Sequence, residues 1–147
     1  NYLLAKENNY KIGNIHRPNT KYEISRIIKN GDKIIKINKD FRINGRLSLS
    51  RSFGDYTYKL VDNNYNGINS TVSVIPDICK YTEPFKFIIA GTDGFWDYVK
   101  VNEIFLYVKM NIRNKKINQL IKYLIKKAID NGSKDNISVV IIKYCGK

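Results

Sequence analysis

The sequence predicts an α+β fold in which β-sheet layers are covered by helices. Three observations support this class: short extended segments follow one another through the first half, two amphipathic helical patterns are grouped late, and an apolar strand pattern closes the chain. Strict alternation of strand and helix, typical of parallel sheets, is not present. The predicted last strand is apolar and needs neighbouring strands, and the predicted first strand lies at the very start of the sequence, so we expect the fold to continue N-terminally in the parent protein.

The first half of the chain is predicted to contain extended segments around one short helix. In that helix Thr20 and Glu23 have capping-box spacing, and Gly31 marks its end. The Asn-rich stretch 62–67 is interpreted as an exposed loop. The segments predicted to be extended are residues 2–5, 10–15, 33–37, 42–50, 71–75 and 78–82.

The second half carries the clearest periodicity. Residues 85–90 are an almost wholly apolar run, which is typical of a strand buried on both faces. Apolar stripes at helical spacing then predict one helix over 101–108 and a longer one over 117–129, which ends at Asn131-Gly132. A final strand is predicted over 137–144.

Composition predicts a single folded domain. The chain has 147 residues, of which 43% are hydrophobic and 12% aromatic, so a disordered tail is excluded. No apolar run approaches the roughly 20 residues that span a bilayer, and the N-terminal residues do not resemble a signal peptide. We therefore expect a chain without a membrane span, in the cytoplasm or nucleus.

Histidine and cysteine are too few for a nitrogen-and-sulfur metal site. The sequence has Cys79, Cys145 and a single histidine, His16. Any bound metal should therefore be a hard cation held by oxygen, such as Mg²⁺, Mn²⁺ or Ca²⁺.

The net charge of +13 invites a nucleic-acid-binding hypothesis. The lysines are, however, spread along the chain, and the adjacent pairs Lys115-Lys116 and Lys126-Lys127 fall on a predicted amphipathic helix. Solvated helix faces are the favoured interpretation, and no nucleic-acid partner is expected.

Two aspartates occupy positions suited to a metal site. Asp93 follows the buried strand 85–90 and precedes Gly94, and Asp135 lies between the long helix and the final strand. If the two strands are neighbours, both carboxylates lie near one cation. The alternative is that both segments are only a turn and a helix-to-strand loop, and the spacing alone leaves both interpretations open.

Four motifs in order resemble the protein phosphatase 2C family. Gly91-Thr92-Asp93-Gly94-Phe95-Trp96-Asp97 resembles its Asp-Gly-x-Trp-Asp signature, and 132–139 resembles its Gly-Ser-x-Asp-Asn segment and last strand. Residues 42–55 resemble its Asn-Gly…Ser-Arg-x-x-Gly-Asp block. Pro76-Asp77-Ile78 and the helix with Glu23 and Arg26 also fall where the family has them.

This resemblance implies a four-layer αββα sandwich, of which the N-terminal part is missing here. It also implies hydrolysis of phosphoserine and phosphothreonine in phosphorylated protein substrates by a water activated by two Mg²⁺ or Mn²⁺ ions. In family terms Asp93 and Asp135 match the ligands of one metal. Asp97 matches either a residue that contacts those ligands without binding the metal itself, or a ligand of a weaker third ion. Trp96 is expected to be a core anchor.

The departures from the family pattern bear on activity. The family's Asp-Gly-His segment, which supplies the bridging aspartate and the suspected general acid, is absent, as is its phosphate-holding arginine. His16 matches another family position, and Ile15 replaces an aspartate of the third metal site. We therefore expect no catalytic residue in this chain and no turnover by the chain alone.

Several interpretations remain open from the sequence. Arg51 either clamps phosphate or forms an internal ion pair, and the latter is favoured; Asp55 is expected to anchor its loop. Residues 56–69 are expected to contact substrates or regulators.

A pseudophosphatase, which would bind a partner or phosphoprotein without hydrolysing it, is the alternative to the enzyme. Self-association is expected where a truncated sandwich exposes strand edges.

Overall fold

The computed structural model of the chain describes residues 1–144, with only the backbone of Val61. Cys145 therefore lies outside the described residues. The elements, in chain order, are β1 (Tyr2–Ala5), β2 (Tyr10–Ile12), α1 (Lys21–Lys29), β3 (Ile34–Ile37), β4 (Asp40–Ile43), a 3₁₀ helix (Tyr56–Lys59), β5 (Leu60–Val61), β6 (Asn64–Tyr65), β7 (Phe87–Gly91), α2 (Asp93–Trp96), α3 (Val101–Asn111), α4 (Ile117–Asp130) and β8 (Val139–Lys143).

The chain divides into two compact units. Asn1–Asn14 together with Lys80–Lys147 form the first unit, and Ile15–Cys79 form the second. Each has its own hydrophobic cluster.

The first unit is built on a four-stranded antiparallel sheet in the order β2-β1-β7-β8. Alternate side chains of its strands point to one face and are buried, because side chains alternate along a strand. Those buried side chains are Leu3, Ala5, Phe87, Ile89 and Ile141. Helices α3 and α4 supply the other half of this core.

The two long helices confirm the periodicity found in the sequence. Their stripes bury Ile104, Phe105 and Val108 on α3 and Leu120, Leu124 and Ala128 on α4. The apolar run before Asp93 also becomes a strand, although it begins at Phe87 and only its alternate residues are fully buried.

The second unit consists of α1, the β3–β4 hairpin, the 3₁₀ helix, the β5–β6 hairpin and the segment that follows them. Its small core is formed by Ile27, Ile43 and Val72. Partly buried Ile34, Leu47 and Tyr58 pack against these residues.

The predicted capping box at the start of α1 is wrong. The Thr20 side chain does not cap the helix, and its hydroxyl donates to the Arg17 carbonyl at 3.0 Å. Glu23 is instead buried with the core face of α1. Ile28, which the sequence placed on the apolar stripe, is exposed.

Three further predictions, which fall between residues 62 and 82, need correction. The Asn-rich stretch is a hairpin rather than a loop, because Asp62 and Asn63 both adopt positive φ and connect β5 directly to β6. Residues 71–75 form only a single bridge, between Ser73 and Arg51, and 78–82 are not a strand.

These elements confirm the α+β class, with antiparallel sheets and helices grouped late in the chain. Among residues 1–144, no helix combines the length and the apolar character needed to cross a membrane.

Candidate metal site

The loops that carry Asp93 and Asp135 lie at the same edge of the first unit's sheet. β7 and β8 are antiparallel neighbours, and Gly91 at the end of β7 pairs with Val139 at the start of β8. Asp93 comes two residues after Gly91, and Asp135 four residues before Val139. The condition set by the sequence, that the two strands be neighbours, is therefore met.

Hydrogen bonds through Thr92 hold the two loops together. Its amide donates to the Ser138 carbonyl at 3.2 Å. Its hydroxyl donates to the Asn136 carbonyl at 3.1 Å and accepts from the Ser138 amide at 3.1 Å. The Ser133 hydroxyl donates to the Gly94 carbonyl at 2.7 Å and adds a contact nearer the helix. The loops thus form one connected segment rather than two separate turns.

Gly94 lets the loops approach closely. A Cβ at this position would lie 2.5 Å from the Asn136 carbonyl oxygen and 3.1 Å from the Cβ of Asp135. Any side chain there would push the two loops apart, because the first distance is too short for carbon and oxygen. The glycine next to Asp93 is therefore required by the approach of the loop that carries Asp135.

The two carboxylates are exposed and are held by their own loops. Asp93 Oδ1 accepts from the Gly94 amide at 2.9 Å, and Asp135 Oδ1 accepts from the Asn136 amide at 2.7 Å. Each carboxylate has a second oxygen with acceptor capacity of its own. Such short contacts to neighbouring amides restrict the side chains without burying them.

Asp97 lies one helical turn after Asp93. Its amide donates to the Asp93 carbonyl at 2.9 Å, so the two residues follow each other on α2 and its C-terminal cap. Residues four apart share a helix face. The Asp97 side chain is exposed.

The donor set fits part of a hard-cation site. It offers carboxylate oxygens only, which Mg²⁺ and Mn²⁺ prefer, and no soft ligand lies in either loop. Within residues 1–144 no group of three or more His, Cys, Asp or Glu side chains is close enough together to hold a metal ion. Water or further ligands would therefore have to complete the coordination shell.

Trp96 packs between the aspartate loops and the core of the first unit. The sequence predicted this role of a core anchor. Trp96 is half-buried against the core of the first unit, and its ring lies 4.8 Å from that of Phe95. Its indole N–H donates to the Asn1 carbonyl at 3.0 Å. This contact fixes α2 relative to the start of β1.

Arg51 forms an internal ion pair in the second unit, which confirms the favoured interpretation. Its Nη2 lies 2.7 Å from Glu23 Oε1, and its Nη1 lies 2.9 Å from Asp77 Oδ1. Nη1 also donates to the Ile75 carbonyl at 2.9 Å. The guanidinium thus ties α1 to the segment around Pro76 rather than facing solvent.

Glu23 is the centre of this cluster, and sequence reasoning missed that role. Its side chain is 1% exposed and also accepts from Arg26 Nη2. Burial opposes its ionisation, but hydrogen bonds from Arg51 and Arg26 outweigh burial and lower the pKa of Glu23 from 4.5 to about 2. The local signals were a glutamate next to an apolar helix stripe and Arg26 three residues later.

His16 lies at the border of the same cluster. Its Nδ1 is 3.4 Å from Glu23 Oε1, and its Nε2 is 3.4 Å from Asp77 Oδ2. The ring therefore faces two carboxylates of the second unit.

Asp55 shapes the loop after Arg51. It adopts a left-handed conformation with φ 58°, and its Oδ2 accepts from the Ser52 hydroxyl at 2.7 Å. The buried Lys59 ammonium donates to the Gly54 carbonyl and to the Ser52 hydroxyl. These contacts are those of a loop anchor.

Comparison with known proteins identifies the family. The family model for protein phosphatase 2C matches residues 1–137. Human protein phosphatase 1B is 31% identical over 132 residues, which cover 88% of this chain and 26% of the relative. A probable protein phosphatase 2C 4 from Paramecium tetraurelia is 28% identical over 157 residues, covering 99% of this chain and 50% of the relative.

Solved structures agree. A Toxoplasma gondii phosphatase matches with a TM-score of 0.78 and 25% identity, covering 95% of this chain and 44% of that one. A Caenorhabditis elegans sex-determining protein shares the fold, with a TM-score of 0.76 and 23% identity over 95% of this chain and 33% of that one. The chain belongs to the protein phosphatase 2C family and has part of its fold. It spans 26% and 50% of the length of the two curated relatives named above.

Proposed function

We propose that this chain is the C-terminal portion of the single catalytic domain of a Mg²⁺- or Mn²⁺-dependent protein serine/threonine phosphatase. The whole protein would hydrolyse phosphoserine and phosphothreonine in phosphorylated protein substrates in the cytoplasm or nucleus. The observation that carries the proposal is the set of hydrogen bonds through Thr92, which keep the loop of Asp93 against the loop of Asp135. Membership of the family supports the reaction class.

The residues of this chain would hold and orient rather than transfer protons. Asp93 and Asp135 would each offer carboxylate oxygens to one divalent ion. Asp97 would either accept hydrogen bonds from groups around that ion without binding it, or bind a weaker third ion. The chemistry that bound ions supply in such sites is a water of lowered pKa and neutralisation of phosphoryl oxygens. Gly94 and Thr92 would fix the spacing of the two loops.

A Mn²⁺ titration of the 147-residue chain by calorimetry tests the carboxylate pair. We expect saturable binding with a Kd of about 1 mM, since two carboxylates leave most of the shell to water. Asp93→Asn and Asp135→Asn should each weaken binding by about tenfold or more. The Mn²⁺ electron paramagnetic resonance signal provides a second measurement that does not depend on turnover.

The matched control is Asp130→Asn. Asp130 is an exposed carboxylate on α4 that pairs with Lys126, so the same chemical change should leave Mn²⁺ binding intact. Equal binding by all four proteins, or no saturable binding by the unchanged chain, would contradict the assignment of Asp93 and Asp135.

We also propose that this chain alone does not hydrolyse phosphopeptides. The bridging aspartate of the family belongs to an Asp-Gly-His segment, and these 147 residues contain none. Phosphate release from a phosphothreonine peptide would be measured for the chain and for the parent protein. Turnover by the chain that disappears in Asp93→Asn contradicts inactivity. A parent protein with the Asp-Gly-His segment but without Mn²⁺-dependent turnover would support the pseudophosphatase instead.

A further inference from the structure

A groove of the first unit lies at the opposite end of β7 from Asp93. It has a volume of about 290 Å³, and Lys86 and Phe87 line it where the strand begins. Residues on a strand advance by about 3.3 Å each, so the five steps from Lys86 to Gly91 separate this groove from the aspartate loops by about 17 Å. The remaining lining residues come from the C-terminal end of α3 and from the β1–β2 turn.

Positive charge dominates the groove. Lys86, Lys109 and Arg113 line it, and Glu7 is the opposing carboxylate among its lining residues. Lys86 Nζ lies 2.6 Å from Glu7 Oε2, and the hydrogen bond from Lys86, with the nearby charges of Arg113 and Lys109, lowers the pKa of Glu7. Three cations around one carboxylate leave an excess of positive charge for an anionic ligand.

The same groove has apolar walls. Phe87 and Ile112 are buried beneath it, whereas Met110 is 75% exposed beside it. Methionine is flexible and polarisable, so it can adapt to an apolar side chain of a partner. A groove lined by three cations and an exposed methionine is suited to a ligand that combines acidic groups with an apolar group.

We propose that this groove binds an acidic peptide segment in which carboxylates flank one apolar side chain. The carboxylates would pair with Arg113 and with Lys109 or Lys86, and the apolar side chain would contact Met110. A nucleic acid is the weaker fit, because the structure places an exposed methionine rather than a stacking aromatic ring among the groove's cations. The groove thus adds a peptide-binding surface remote from the aspartate loops.

Fluorescence anisotropy with two labelled peptides tests this proposal on the 147-residue chain. One peptide carries glutamates on both sides of a leucine, and the other has glycine in place of the leucine. The leucine peptide should bind saturably, Arg113→Glu should weaken it by about tenfold, and Arg113→Gln by less. Met110→Ser should weaken the leucine peptide and leave the glycine peptide unchanged.

The matched control is Lys122→Glu, the same charge reversal at an exposed lysine of α4 that does not line the groove. Circular dichroism of each variant checks that it is folded. The proposal would be overturned if Lys122→Glu weakened binding of the leucine peptide as much as Arg113→Glu does. Equal affinity of the unchanged chain for the two peptides would also overturn it. Absence of saturation, or tighter binding of a single-stranded oligouridine at the same ionic strength, would also overturn it.

Discussion

Glu23 shows how strongly a single residue of the second unit depends on distant partners. It is a carboxylate with 1% exposure, and Arg51, 28 residues away in sequence, neutralises it. No periodicity or local motif encodes such a pairing, so the sequence suggested a helix cap instead. Asp93 and Asp135 could be proposed from the sequence because each lies beside a strongly patterned strand and a glycine or a helix end.

Arg51→Ala should destabilise the protein by about 3 kcal/mol, because the buried Glu23 carboxylate loses one of the two guanidinium groups that compensate its charge. Arg26 remains beside Glu23 but cannot replace the contact to Asp77. Urea unfolding measures the change. Arg42→Ala is the control: its pair with Asp40 is 3.9 Å long and its hydrogen bond to the Arg46 carbonyl is exposed, so the loss should be about 1 kcal/mol or less. Similar losses for both variants would contradict the importance of the buried pair.

The pH dependence of stability should also report on Glu23. Its pKa is about 2 in the folded protein against 4.5 ordinarily, so its stabilising contribution is complete above pH 4.5 and falls as the pH drops towards 2. Arg26, Arg51 and His16 face the same carboxylate, and Asp77 pairs with Arg51 and His16.

Glu23→Gln removes this titration and leaves that of every other acid in place. We therefore expect the urea midpoint of the variant to decrease less steeply over that pH interval than that of the unchanged protein. Parallel curves for the two proteins would mean that the folded and unfolded pKa values of Glu23 are alike.

At the scale of elements, the helices and strands that could be predicted are those with a clear periodic pattern of hydrophobic residues. Helices α3 and α4 follow directly from stripes that become buried in the structure. The β5–β6 hairpin escaped detection because its strands have two residues each and Asn64 and Tyr65 lie in an Asn-rich stretch. The four-residue helix α2 is too short to show a period.

The contact between the loops before α2 and before β8 gives a prediction at the same scale. Gly94→Ala should cost about 1–3 kcal/mol, because the added methyl would lie 2.5 Å from the Asn136 carbonyl oxygen. It should also weaken the proposed Mn²⁺ binding by separating Asp93 from Asp135. Urea unfolding and calorimetry measure the two effects.

Gly54→Ala is the control for that substitution. A Cβ at Gly54 has nothing within 4 Å and no positive φ to oppose it, so its effect should stay within about 1 kcal/mol. If both alanine variants unfold at the same urea concentration, close approach of the loops is not what Gly94 provides.

At the scale of the whole molecule, net charge and an exposed sheet edge act against each other. The charge of +13 makes copies of the chain repel, whereas β8 lies at the edge of its sheet with Val140 and Ile142 more than half exposed. Salt screens the repulsion between charges beyond about 10 Å at 0.1 M ionic strength, but it does not weaken apolar contact. Self-association should therefore rise with salt concentration.

Sedimentation velocity across a salt series measures this balance for the unchanged chain and for Ile142→Lys. We expect the unchanged chain to form larger species as salt increases, and the variant to remain monomeric, because a lysine on the edge strand disfavours pairing with another copy. Ile129→Lys is the control, because it adds the same charge at a position on α4 that is 54% exposed. A difference in association between the two lysine variants would therefore be due to the edge strand β8. A monomer at every salt concentration would show that the exposed edge of β8 does not pair. An equal response of the two lysine variants would attribute the association to charge alone.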